Sequence, residues 1–285
     1  MNELNASKSL ACEQKEAFCT IVSAVSQNEV LIGSNLDAPN PSVKIWFVPP
    51  SNGRYGRVCF GFDYKTAENG MNEHGLFIDC NTVPETGWKP DPDKPRWEDW
   101  EGWYESGVPD GILAKCRTVD EAILIFRQYN LLTFRSIKYL VADASGKSAV
   151  IEWSKKGLAI IERPADTYYQ ISTNFISSDL KSEEYTCYRY RIAETIFKDH
   201  KDEPDFQLIR KILSTTAFNH NSPTQVSVIY DLRKQKFSVY LYHNFEEVQE
   251  FHLKGELKKG YSQHELHSLF KYESFAYSVY KANFR

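Results

Sequence analysis

Short β-branched and aromatic runs, each closed by a turn, recur along almost the whole chain, and this alternation restricts the folds open to it. Strands are predicted over 19–24 and 29–32 around the turn Ser26-Gln27-Asn28, over 43–48 before Pro49-Pro50, over 57–62, and over 75–79. The stretch Glu68-Asn69-Gly70 reads as a turn. A clear hairpin joins 138–142 to 148–153 through Asp143-Ala144-Ser145-Gly146-Lys147; a strand follows at 157–162, and 225–231 pairs with 236–242 in a last hairpin. Helical patterning is rarer. It covers 188–200, 206–215 and 118–129, where Thr118 can cap, Glu121 stands three residues on, and Val119, Ala122, Ile123 and Phe126 form an apolar stripe. Many short strands with few helices imply an α+β layered fold, in which stacked antiparallel sheets are covered by helices.

No internal repeat or linker divides the 285 residues. A net charge of -4 provides no basic face for a phosphate backbone, so nucleic acid is not an expected partner. No apolar run approaches the roughly 18–20 residues that span a bilayer. Cysteines at 12, 19, 59, 80, 116 and 187 form no Cys-x-x-Cys pair and have no His cluster beside them, so neither a metal nor another cofactor is expected. Ser9-Leu10-Ala11-Cys12 is shaped like a lipoprotein cleavage box, but no apolar stretch precedes it, and a cytoplasmic location is the expectation. The aromatic tail from Tyr261, with Phe270, Tyr272, Phe275, Tyr277, Tyr280 and Phe284, is expected to pack on the body or on a second subunit, which leaves a homo-oligomer open.

Cys19 is where the chemistry concentrates. It heads the run Thr20-Ile21-Val22-Ser23-Ala24-Val25, which leads on to Gly33-Ser34-Asn35-Leu36-Asp37. A thiol in this setting suits an N-terminal nucleophile, whose own α-amine serves as base once the preceding residues are cut away. On this reading residues 1–18 are a removable leader and 19–285 form one catalytic domain. An amine with an unperturbed pKa near ~7.7–8 can both take and return a proton near neutrality. The seven histidines form no Cys-centred pair that would do the same work. Taken alone, each residue also has a plainer reading: Cys19 as a small buried strand residue, Asp37 as a turn former, Asn81 and Asn174 as strand ends.

Five patches, in order along the chain, change the balance. They are Cys19-Thr20 with Gly33-Ser34-Asn35-Leu36-Asp37; Gly70-Met71-Asn72-Glu73-His74-Gly75-Leu76 leading to Asn81; the hairpin from Asp143 to Glu152; Ser172-Thr173-Asn174; and Tyr188-Arg189-Tyr190. Together they make the chain resemble the linear amide C–N hydrolases of the N-terminal nucleophile superfamily, the group of choloylglycine hydrolases, penicillin V acylases and the acyltransferase of penicillin biosynthesis. The resemblance implies a four-layer αββα fold and hydrolysis of a small-molecule, non-peptide linear amide through a thioester on Cys19. It also implies that Asp37 holds the α-amine, that Asn81 and Asn174 serve as oxyanion-hole and amine-orienting groups, and that Arg189 closes the polar network. Transfer of the acyl group to an amine, and a silent ligand-binding member of the fold, are the alternatives. Bile salt hydrolases usually have Arg where this chain has Ser34, which argues against an anionic substrate of that kind. Trp88, Trp97, Trp100 and Trp103, in a proline-broken stretch, are expected to line an acyl pocket.

Overall fold

The computed structural model describes residues 19–101, 107–181, 185, 187–218, 222–271 and 275–283. The strands are β1 (Thr20–Val25), β2 (Val30–Asp37), β3 (Lys44–Val48), β4 (Arg57–Gly61), β5 (Ala67–Asn72), β6 (Phe77–Thr82), β7 (Ile137–Ala142), β8 (Ser148–Ser154), β9 (Gly157–Glu162), β10 (Tyr169–Ser172), β11 (Thr224–Asp231), β12 (Lys236–Leu241), β13 (Gln249–His252) and β14 (Ser262–Glu265). The helices are α1 (Gly107–Lys115), α2 (Val119–Gln128), α3 (Tyr188–Asp199), α4 (Phe206–Thr216), α5 (Leu253–Leu257) and α6 (Phe275–Asn283). A six-stranded sheet runs β10-β1-β2-β11-β12-β13, and an eight-stranded sheet runs β14-β3-β4-β5-β6-β7-β8-β9. Neighbours pair antiparallel throughout, as in β1 with β2, β6 with β7 and β11 with β2.

Period-2 alternation builds the layers. Cys19, just ahead of β1, and Ile21 on it face the core between the sheets, with Ile32, Phe60, Phe77, Leu140, Val228 and Phe237. Val22 and Ala24 face the other way, against Ala193 and Phe197 of α3 and Ile209 and Leu213 of α4. The outer face of the larger sheet packs on α1 and α2 through Ile112, Leu113, Ile123 and Phe126. Helices, two sheets and helices therefore stack as αββα. Thr118 caps α2 as its sequence suggests, its hydroxyl accepting from the Glu121 backbone N–H at 3.2 Å. In the tail, Tyr277 packs on Tyr242 and its hydroxyl donates to the Pro41 carbonyl, so this part of the chain is bound to the body.

The Glu68-Asn69-Gly70 stretch is not a turn but the middle of β5. A Cβ on Gly70 would lie 2.1 Å from the Val58 carbonyl and 2.9 Å from Leu113 of α1. A bare backbone is required there, and the packing of helix on sheet overrides the turn preference of Asn-Gly. Asn72, two residues on, explains a further part of the Gly-Met-Asn motif. Its amide donates to the carbonyls of Leu113 and Cys116 at the end of α1, while its oxygen accepts from the N–H groups of His74 and Leu76.

Candidate active site

The five polar residues singled out in sequence converge on the start of β1. Cys19 immediately precedes the strand, Asp37 ends the neighbouring β2, and Asn81 comes across the sandwich from β6. Asn174 follows β10, and Arg189 occupies the first turn of α3. The Asn81 amide donates to the Cys19 carbonyl at 3.2 Å, and Arg189 Nη1 donates to the same oxygen at 2.8 Å. Arg189 also donates to the Thr20 hydroxyl and, through Nη2, to Asn174 Oδ1, both at 3.0 Å. Its Nη1 lies 3.9 Å from Asp37 Oδ2. Arg191, two residues on, turns instead to Glu194 and the Tyr185 carbonyl.

Each asparagine is oriented by a donor to its oxygen. Arg189 fills Asn174 Oδ1, and the Ser172 hydroxyl donates to Asn81 Oδ1, so both NH₂ groups are fixed in direction. Asp37 is fully buried. Thr224 donates to its Oδ1 at 2.5 Å, whereas Oδ2 has no hydrogen-bond donor among the described residues. Burial raises the Asp37 carboxyl well above its usual range, opposed by Arg189 and the Thr224 hydroxyl. Burial also pushes the Cys19 thiol well up, and the carboxylates of Asp37 and Asp79 push it further; the Asp37 backbone N–H and Arg189 oppose them. A thiol raised in this way is neutral near pH 7 and would act as a nucleophile only with a proton acceptor close by. A guanidinium at a helix N-terminus runs against the helix dipole. Here the Cys19 carbonyl, Asn174 and Asp37 hold it in place.

A family model described as acyl-coenzyme A:6-aminopenicillanic acid acyl-transferase matches residues 111–245. Among solved structures, a variant of the conjugated bile acid hydrolase from Clostridium perfringens is similar at 17% identity and TM-score 0.67, covering 90% of this chain and 97% of that one. Penicillin V acylase from Agrobacterium tumefaciens gives 14% identity and TM-score 0.67, covering 87% and 91%. The N-acylethanolamine-hydrolyzing acid amidase ortholog of Caenorhabditis elegans gives 18% and 0.54, covering 75% and 93%. The chain shares the fold of these structures, two stacked antiparallel sheets between layers of helices. Among curated proteins, its sequence matches none.

The αββα fold places one further acidic residue beside the Cys19 thiol, which the sequence reading passed over. Asp79 stands two residues before Asn81, on the same face of β6, and is buried. The Ser34 hydroxyl donates to Asp79 Oδ2 at 2.6 Å, so a serine–carboxyl pair occupies the place where an arginine was noted as the usual residue. Burial lifts Asp79 to about 8, with Glu68 adding to the rise and Ser34 and the Cys80 N–H opposing it. Between the unfolded value of ~3.9 and about 8, the folded state retains a proton that the unfolded chain releases. Stability from this group is therefore complete below the unfolded pKa, declines as pH rises and levels off above the folded one. Asp79→Asn removes that decline, so the variant should gain on the wild type by up to ~1.4 kcal/mol per pH unit within the window. Denaturant melts at several pH values check this, and parallel curves for the two proteins would refute it.

Three of the four tryptophans take a different place from the one expected. Trp97 packs edge-on or tilted among Trp100, Phe126 and Phe134, and Trp88 packs on Phe134 and Trp153. All belong to the apolar layer between the larger sheet and its helices, on the opposite face of that sheet from Cys19. Trp103 lies outside the described residues, as does the expected leader, 1–18. A cavity of about 370 Å³ runs beside β10, the strand that leads to Asn174, lined by Tyr169, Ile171 and Tyr190 together with Gln170, Glu194 and Lys198. Thr224, Ser172 and Thr20 are further participants. Nothing short of the strand register would single them out, whereas Asp79 in the apolar run Phe-Ile-Asp-Cys was a visible anomaly.

Proposed function

We propose that this chain is a self-processed N-terminal-cysteine amidohydrolase that cleaves a non-peptide linear amide through a thioester acyl-enzyme. The observation that carries the reading is the convergence of Asp37, Asn81 and Arg189 on Cys19. In self-processing, the thiol attacks the carbonyl carbon of residue 18, and the acyl chain moves from nitrogen to sulfur. That shift breaks the C–N bond and frees the α-amine of Cys19; water then hydrolyses the thioester, which releases the leader as a carboxylic acid and restores the thiol. The donor-free Oδ2 of Asp37 is suited to receive that amine. Once present, the amine takes the thiol proton during attack on substrate and returns it to the leaving nitrogen. Donors of the kind Asn81 and Asn174 present are worth roughly 3–4 kcal/mol each at a developing oxyanion.

The Ser34–Asp79 pair supplies no fixed cation, which favours an uncharged amide over an anionic one. The cavity beside β10 joins apolar side chains such as Ile171 and Tyr190 to the polar Gln170, Glu194 and Lys198, which suits an acyl group with both apolar and polar parts. A second reading has its own support: the matched family model is described as an acyl-transferase. The two differ in whether water or an amine takes the acyl group. Intact-mass measurement should find the purified chain beginning at Cys19, and an amide panel run with and without an acceptor amine should release free acid in both conditions. A retained leader together with a Cys19 inert to iodoacetamide would sink the enzyme reading; product that needs the acceptor would favour transfer.

A further inference from the structure

Lys138 and Glu152 are buried and charged, and the chemistry above does not use them. Neither side chain has any exposed surface, and Nζ lies 3.6 Å from Glu152 Oε2. Lys138 on β7 is the register partner of Asn81 on β6, so the two side chains leave the same face of the larger sheet side by side. Both ends of the pair reach a stretch of chain without regular structure. Lys138 Nζ donates to the Phe175 carbonyl at 2.6 Å and to the Ser177 hydroxyl at 3.3 Å, and sits 4.9 Å from the centre of the Phe175 ring. The Glu152 carboxylate accepts the backbone N–H groups of Ser177 at 3.1 Å and Ser178 at 2.5 Å.

That stretch follows Asn174 directly. Upstream, Asn174 Nδ2 donates to the Thr82 carbonyl and its oxygen receives Arg189. An irregular segment packed against a sandwich needs partners for its peptide groups, and strands cannot supply them here. Replacing a buried ion pair by apolar side chains of similar volume is often neutral or stabilising. Stability alone therefore gives little reason for this pair, whereas satisfying the backbone of 175–178 requires it. Burial pulls Lys138 down to about 8, with the Glu152 carboxylate working to keep it charged.

We propose that Lys138 and Glu152 are positioning residues that clamp 175–178 and thereby set the Asn174 amide against Arg189 and Cys19. The proposal rests on Cys19 being the nucleophile, and its test has one readout that does not. In Lys138→Met/Glu152→Leu, the amides of Ser177 and Ser178 should exchange hydrogen about tenfold faster or more, while those of β1 and β8 keep their protection. Leader removal and Cys19 alkylation by iodoacetamide should slow by about tenfold or more, since small misplacements of site groups carry large rate penalties. The melting midpoint should fall only modestly, because the peptide groups of 175–178 lose their partners while both sheets stay packed, and the alkylation pH profile should shift.

Unchanged exchange at Ser177 and Ser178 overturns the clamp, whatever Cys19 does. Loosened exchange with wild-type processing and alkylation overturns the positioning role. A wild type that keeps its leader and an unreactive Cys19, with exchange altered as expected in the variant, sinks the active-site reading and leaves the clamp standing. Should the double variant not fold, Ser178→Pro decides. Ser178 is the second residue of a turn closed by Leu180 N–H to Ser177 O, where proline fits, and the change removes only one N–H from Glu152. Slower processing supports the clamp; wild-type processing overturns it.

Discussion

Cys19→Ala is expected to leave residues 1–18 attached and to abolish amide turnover, by a factor on the order of 10⁴–10⁶, the scale seen when a covalent nucleophile is removed. In the proposed mechanism both losses arise from one atom, because the sulfur that would attack the peptide ahead of it is the sulfur that would attack substrate. The fold should survive. Cys19 contributes a small buried side chain at the edge of the inter-sheet core, and its carbonyl, not its thiol, receives Arg189 and Asn81. The stability change should therefore stay near ~1 kcal/mol, as is ordinary for a point substitution. Intact mass, thermal melting and amide turnover on the same preparation separate these effects. A variant that still sheds its leader, or that turns over substrate at the wild-type rate, would remove Cys19 from the chemistry.

The layered architecture was legible because it follows from local pattern. Cys19, just ahead of β1, and Ile21 on it alternate with Val22 and Ala24, and the Asp143–Lys147 turn marks its hairpin without help from the rest of the chain. Where the sequence reading failed, long-range packing decided. Asn69 and Gly70 carry a strong turn signal, yet they lie within β5 because α1 and β4 approach too closely for a side chain at Gly70. The tryptophans show the same limit. Large rings suit a pocket wall and a packed layer equally well, and only the face of the sheet on which Trp97 falls separates the two.

The candidate site divides along similar lines. Cys19, Asp37, Asn81, Asn174 and Arg189 span most of the sequence, and it took ordered motifs, not any one of them, to group them. Their supporting partners were illegible for a physical reason. Thr224 meets Asp37 because β11 pairs with β2, and Lys138 stands beside Asn81 because β7 pairs with β6. Register of that kind is a property of the folded sheet. Asp79 lay between these cases: a charged residue in an apolar strand, two positions from Asn81, was readable as an inward-facing carboxyl.

Arg189→Met should produce the second large effect, and here stability and chemistry fall together. The substitution withdraws donors from the Cys19 carbonyl, the Thr20 hydroxyl and Asn174 Oδ1, and leaves Asp37 buried without its cation. Removing one member of a buried pair costs about 3–5 kcal/mol, much of it from the stranded partner. For a chain of this size, that corresponds to a fall in melting midpoint of roughly 5–8 °C. With Arg189 gone, the Asp37 carboxyl should rise further, since the guanidinium is the main influence holding it down against burial. Leader removal should slow sharply, because Asn174 and the start of β1 lose a shared anchor. Arg189→Lys separates charge from geometry: an ammonium can still face Asp37 but cannot serve three acceptors in different directions. It should recover part of the stability and little of the processing. Pairing Arg189→Met with Asp37→Asn tests the electrostatic part, since a neutral amide beside a neutral side chain removes the stranded charge. The double variant should melt above Arg189→Met alone while remaining unprocessed. If it melts no higher, the stability lost at Arg189 lies in its bonds to Cys19, Thr20 and Asn174; if Arg189→Met processes as the wild type does, Arg189 has no part in holding the nucleophile.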